Sequence, residues 1–218
     1  MEVHKIDKVG VLFDLDGVLI DSEGLYTCFW QDIEKIYPTG VEDFAYVIKG
    51  NALFKILDTY FVGDEVKADI IERVHRFEHD IVYPIYEGVM EFLAELEQRG
   101  IPAAIVTSSD NEKMRSLFKQ YPDFRTYFDA IITGSDVTQS KPHPEGYLKG
   151  AEAIGRKPEN CYVFEDSLQG LDAGLASGAT VIGLTTSNPA DVVKEKAHGL
   201  IDSFVSYTVD RMLAVNRL

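Results

Sequence analysis

Apolar residues along the chain fall into short runs separated by longer stretches in which they recur every three or four positions. The runs at 9–15 (VGVLFDL), 101–107 (IPAAIVT), 129–134 (DAIITG), 160–166 (NCYVFED) and 179–185 (ATVIGLT) are apolar on both alternating sets of positions. That predicts strands covered on both faces. Helical periodicity lies between them, over 88–99, 110–120, 144–154 and 167–177. Strands alternating with helices predict an α/β core, a doubly wound parallel sheet. The interval 20–84 breaks the rhythm, because its segments DSEGLYTCFWQDIEKIY, NALFKILDTYF and DEVKADIIERVHRFEHDIV are amphipathic helices broken at Pro38–Gly40, Lys49–Gly50 and Gly63. It is predicted to form a small inserted α-helical cap domain, with residues 1–19 and 85–218 making the core.

The 218 residues suffice for a core of this kind plus an insertion, and 45% apolar with 26% charged residues is a globular composition. A formal charge of −15 excludes the basic footprint that nucleic acid or an anionic membrane surface requires. A small anionic substrate remains compatible if a cation or local lysines offset the field. The opening MEVHKIDKVG lacks an apolar signal core, and Cys28 and Cys161 have no metal-ligand spacing. A cytoplasmic protein with reduced thiols and no obligate protein partner is expected.

In an open parallel sheet, ligands bind beyond the carboxyl ends of the strands. The residues at those ends are Asp14 and Asp16 after the first run, VTSSDN (106–111) after the second, SKPHP (140–144) after the third, and Glu165 and Asp166 after the fourth. If they converge, several carboxylates, a lysine and a hydroxyl share one pocket. Carboxylates so placed repel one another unless a cation sits among them, and hard oxygen ligands suit Mg²⁺. The lysine adds positive charge for an anion such as phosphate.

Taken singly, each element has a plainer role. An EF-hand loop counted from Asp14 needs Glu at its twelfth position, where Leu25 stands. Ser109 with Glu112 fits a helix capping box. Lys141 between polar and proline residues could be a turn lysine, and Asp166 and Ser167 could cap the following helix, whose Gly170, Gly174 and Gly178 allow close approach to the sheet. The five histidines show no metal-site pattern, and His75 and His79 are expected at the surface.

In order and spacing, DLDGVLIDSE, the threonine ending the second run, KPHPEGY and EDSLQGLDAGLASGA resemble the haloacid dehalogenase superfamily, in the branch whose helical cap follows the first strand of a Rossmann-like core. The resemblance implies Asp14 as nucleophile forming an aspartyl-phosphate and Asp16 as general acid and base. It implies Thr107, the Ser108 backbone N–H and Lys141 as holders of the phosphoryl oxygens. Mg²⁺ would be bound by Asp14, the Asp16 carbonyl and Asp166, with Glu165 nearby. Asn111 falls where relatives place a further phosphate contact, and Glu23, Lys49 and Asn51 fall where they sense substrate.

A dehalogenase would need neither the acid at Asp16 nor the metal carboxylates. The expected activity is a Mg²⁺-dependent phosphatase acting on a small phosphorylated metabolite, a sugar phosphate in first place. One alternative is a β-phosphoglucomutase-like mutase, although Tyr26 stands where the mutase pattern has histidine and Leu53 where it has a phosphate-gripping arginine. Lys49, Lys55, Arg73 or Arg76 could supply that second grip instead. The other alternative, a non-catalytic binder of phosphometabolites, fits poorly with intact Asp14 and Asp16.

Overall fold

The computed structural model describes residues 8–215, the Glu23 side chain excepted. The expectations for residues 1–7, leader and His4 included, lie outside the described residues. Six parallel strands form one sheet in the order β3-β2-β1-β4-β5-β6. They are β1 (Gly10–Phe13), β2 (Ala103–Val106), β3 (Ala130–Ile132), β4 (Cys161–Glu165), β5 (Thr180–Leu184) and β6 (Gly199–Ile201). Sequence periodicity finds the first five. It misses β6 because an edge strand of three residues, only one of them buried, carries too little apolar signal.

Successive side chains of β1 enter opposite layers. Phe13 stacks on Phe164 with ring centroids 5.1 Å apart and packs with Phe92 and Phe204. That layer is covered by α5 (Val89–Gln98), α6 (Asn111–Gln120) and α10 (Val209–Leu213). Leu12 faces the other way, into a cluster with Val106, Tyr147, Val163 and Leu171 under α7 (Glu145–Ala153), α8 (Leu168–Ser177) and α9 (Ala190–Lys194). Burial on both faces explains why the strands read as continuous apolar runs.

Between β1 and α5 the chain forms α1 (Glu23–Ile36), α2 (Phe44–Val47), α3 (Leu53–Tyr60) and α4 (Asp64–Asp80). These helices bury a separate cluster that includes Trp30, Phe44, Ile56 and Ile70. The chain leaves and re-enters the core side by side: Ile20 bridges Ile85 antiparallel, the Asp21 N–H donates to the Pro84 carbonyl at 2.7 Å, and the Tyr86 N–H donates to Leu19 at 3.1 Å. Among the described residues no helix is long and apolar enough to cross a membrane.

Candidate active site

The sheet order reverses at β1, whose neighbours are β2 and β4. Phe13 pairs in register with Ile105 and Phe164, so Asp14 emerges level with Val106, one residue before Thr107, on one side and with Glu165 on the other. This switch point opens into a cavity of about 110 Å³ between the sheet edge and α1–α4. Asp14, Asp16, Thr107, Ser108 and Asp166 line it from the core, and Tyr26, Lys49, Asn51, Leu53 and Glu78 line it from the inserted helices.

Lys141 lies behind Asp14, 7% exposed, and its ammonium donates to Asp14 at 2.5 Å, to Glu165 at 2.6 Å and to the Val106 carbonyl at 3.2 Å. Burial opposes its charge, but the two carboxylates hold it above the usual lysine range. Glu165 is wholly buried and fully engaged. One oxygen accepts from Lys141 and from the Tyr147 hydroxyl at 2.8 Å, and the other from the backbone N–H groups of Asp166 and Ser167. Its structural place is to hold Lys141. Burial, with Glu165 and Asp16 adding and Lys141 opposing, pushes the Asp14 carboxyl up to about 7.

Asp16 receives hydrogen bonds from Ser22, from Ser109 at 2.9 Å and from Lys113. Burial pushes its carboxyl up, but the Lys113 charge and these bonds together hold it below the ordinary aspartate range. The Lys113 ammonium also sits 4.1 Å from the centroid of the Tyr26 ring, with its side chain 1% exposed. Lys113 is a residue that sequence reasoning missed. A lysine in the first turn of a helix reads as a solvated charge, and only the fold turns it inward.

Ser109 is not the helix cap that its spacing with Glu112 suggests. Asp110 caps α6, accepting from the N–H groups of Glu112 and Lys113, because the Ser109 hydroxyl is already committed to Asp16. Thr107 is buried, and its Oγ1 accepts from the Ser109 N–H at 3.0 Å. The Ser108 hydroxyl reaches across the cavity mouth to the Gly50 carbonyl at 2.8 Å. Asn111 stands apart from the cavity lining, its side-chain oxygen 3.4 Å from the Thr133 hydroxyl. Lys49 and Asn51 reach the wall, and Asn51 donates to the Ile48 carbonyl. The side chain of Glu23 lies outside the described residues.

His79 is exposed as expected, but His75 Nε2 lies 3.0 Å from the Asp110 carboxylate and links α4 to α6. The segment after β5 was also missed. Ser187 donates to the Asp166 carboxylate, and the Asn188 amide donates to the Asp166 carbonyl at 2.8 Å. Extending the strand-end rule to TTSN (185–188) would have found both.

Asp14, Glu165 and Asp166 are buried with one carboxylate oxygen of each within 4.8 Å of the others. These are hard, anionic donors in excess over the single lysine among them, which suits Mg²⁺. With Glu165 engaged by Lys141, the Asp14 and Asp166 carboxylates are the side chains best placed to hold such an ion.

The sequence model of haloacid dehalogenase-like hydrolases matches residues 11–184. Hexitol phosphatase A of Escherichia coli (strain K12) is 33% identical over 192 residues, covering 84% of this chain and 84% of the relative. Glycerol-1-phosphate phosphohydrolase 2 of Saccharomyces cerevisiae is 30% identical over 206 residues, covering 87% of this chain and 80% of the relative. Among solved structures, β-phosphoglucomutase from Clostridium difficile superposes with a TM-score of 0.77 at 21% identity, over 94% of this chain and 95% of that one. At that identity the likeness is one of fold.

Proposed function

The chain belongs to the haloacid dehalogenase-like hydrolase family, and we propose that it is a Mg²⁺-dependent phosphatase that hydrolyses a small phosphorylated metabolite through an aspartyl-phosphate on Asp14. The observation that carries this reading is the meeting of Asp14, Asp16 and Asp166 on the wall of one cavity, with Lys141 against Asp14. Asp14 Oδ attacks phosphorus, the ester P–O bond breaks, and a proton from Asp16 goes to the departing oxygen. Asp16, now a carboxylate, takes a proton from water, whose oxygen attacks the aspartyl-phosphate and frees Asp14 and inorganic phosphate.

The site residues divide this work. Lys141, held in place by Glu165 and Tyr147, stabilises charge on the transferring group together with Thr107 and the Ser108 N–H. Lys113 and Ser109 orient the Asp16 carboxylate and favour its charged form, which the water step needs. Asp14, Asp166 and the Asp16 carbonyl would hold Mg²⁺, which when bound offsets the carboxylates and polarises the phosphoryl oxygens. Residues 20–84 act as a cap that closes over the substrate. The contacts Ser108–Gly50 and His75–Asp110 are the closing ones, and the joints lie near Ile20–Ser22 and Tyr83–Glu87.

A mutase needs a cationic grip for a second phosphate. Leu53 and Tyr26 occupy the wall where one is needed, while Arg73 and Arg76 pair with Asp69 and Glu72 along α4. Lys113 is committed to Asp16, Lys55 donates to the Lys141 carbonyl at 3.3 Å, and the Lys49 ammonium, though its residue lines the wall, lies 5.2 Å from the ring centroid of the exposed Tyr46. The hydrolase reading is therefore preferred. Its test is phosphate release from a panel of phosphomonoesters with Mg²⁺ or with chelator, with Asp14→Asn as the blank. Metal-dependent release that disappears in the blank is expected, and release that persists in Asp14→Asn overturns the reading.

A further inference from the structure

Glu78 plays no part in the chemistry above, yet it is 4% exposed and lines the same cavity. It projects from α4, far in sequence from every strand end. One carboxylate oxygen accepts from the Tyr26 hydroxyl at 2.7 Å. The other, Oε2, is buried and meets no donor among the described residues. A buried acceptor without a donor is costly, by roughly 1–3 kcal/mol and more when charged, and because Glu78 lines the cavity the missing donor is one that a ligand held there can supply. Burial, with Lys113 and Tyr26 opposing and Asp110 and Asp16 adding, pushes the Glu78 carboxyl up to about 7, as fits a group short of donors.

The surroundings narrow the donor's chemistry. Asp110 shares this end of the cavity, and of the two lysines on the cavity wall Lys113 is turned to Asp16 while the Lys49 ammonium lies 5.2 Å from the ring centroid of the exposed Tyr46. A carboxylate or second phosphate on the substrate would meet Glu78 and Asp110 with no free ammonium of Lys113 to receive it. A hydroxyl satisfies Oε2 whether Glu78 is ionised or not, since it can donate to a carboxylate or accept from a carboxylic acid.

We propose that Glu78 is a specificity-determining residue that accepts a hydroxyl of the leaving group, so that the substrates are monophosphates of neutral polyhydroxy compounds and not phospho acids, bisphosphates or pyrophosphate. The proposal rests on the phosphatase reading and assigns that site its substrate class.

The test measures kcat/KM with Mg²⁺ for glycerol 1-phosphate and a hexitol phosphate, for phosphoglycolate and pyrophosphate, and for p-nitrophenyl phosphate, whose leaving group carries no further hydroxyl. Wild-type protein, Glu78→Gln and Glu78→Leu are compared. In the wild type the polyol phosphates are expected to exceed phosphoglycolate and pyrophosphate by at least tenfold. The ratio of polyol phosphate to p-nitrophenyl phosphate is expected to fall about 10- to 100-fold in Glu78→Leu, mainly through KM, as for loss of a hydrogen bond to a charged group, and less in Glu78→Gln, whose amide still donates to the hydroxyl. Equal losses on both substrates would mark Glu78 as a packing residue and overturn the proposal. So would a wild-type preference for the phospho acid or pyrophosphate, whatever the variants do. If no substrate, p-nitrophenyl phosphate included, yields phosphate that Asp14→Asn abolishes, the phosphatase reading itself fails, a result distinct from the other two.

Discussion

Replacing Glu78 by Gln should make the protein more stable at alkaline pH. The carboxyl's value moves from 4.5 to about 7 on burial in the folded chain. Each unit of displacement is about 1.36 kcal/mol, so the charged form of Glu78 costs the folded state ~3 kcal/mol relative to the protonated form. The sign follows from proton counting. Between these two values the folded protein binds the proton more tightly than the unfolded chain, so stability from this group is full below pH 4.5 and is lost as pH rises through about 7. Glutamine copies the neutral shape and still accepts from Tyr26. Its amide nitrogen meets a site without a protein acceptor, but that cost is independent of pH and cancels between two pH values. Denaturant unfolding of wild type and Glu78→Gln at about pH 4.5 and pH 8.5 is therefore the assay. The variant's stability relative to wild type should rise by ~3 kcal/mol between the two, or several degrees in Tm for a chain of this length. An unchanged difference, or one that moves the other way, would refute the reasoning about this buried carboxyl.

Further outcomes follow from other contacts. Lys113→Met removes the cation beside Asp16, leaving a half-buried carboxylate with only the Ser22 and Ser109 hydroxyls as donors, and should lower kcat more than tenfold while destabilising the fold by roughly 1–3 kcal/mol; wild-type turnover would exclude Lys113 from the site. In Gly170→Ala the added Cβ overlaps the Glu165 carboxylate that holds Lys141. Turnover and stability should fall together, the latter by about 1–3 kcal/mol as for overpacking, and a fully active alanine variant would contradict the tight fit. A crosslink between positions 75 and 110, where α4 meets α6, should slow turnover by holding the cavity shut, with activity restored on reduction; an undiminished rate in the crosslinked form would argue against cap opening.

Legibility followed the range of the signal. The buried strands β1, β2, β4 and β5 were plain because burial on both faces leaves little room for polar residues. The residues at their ends could be listed because a parallel sheet presents its carboxyl ends at one edge. Lys113 and Glu78 could not be found this way. Each lies on a helix whose exposed face is rich in charge, and what distinguishes it is inward orientation, a tertiary property. The Ser109 capping box failed for a related reason: Ser109 and Asp110 can both cap α6, and the nearby Asp16 decides between them.

The adjacency of Ile20 and Ile85 bears on how the chain folds. The pairing of β1 with β2 joins residues separated by the whole insertion, a long loop to close before any sheet contact rewards it. If the four helices condense first around Trp30 and Phe44, their ends arrive already side by side and the loop shrinks to a short turn. Weakening the insertion's own core should then slow formation of the central strand pair, which would make residues remote from the sheet part of its nucleus.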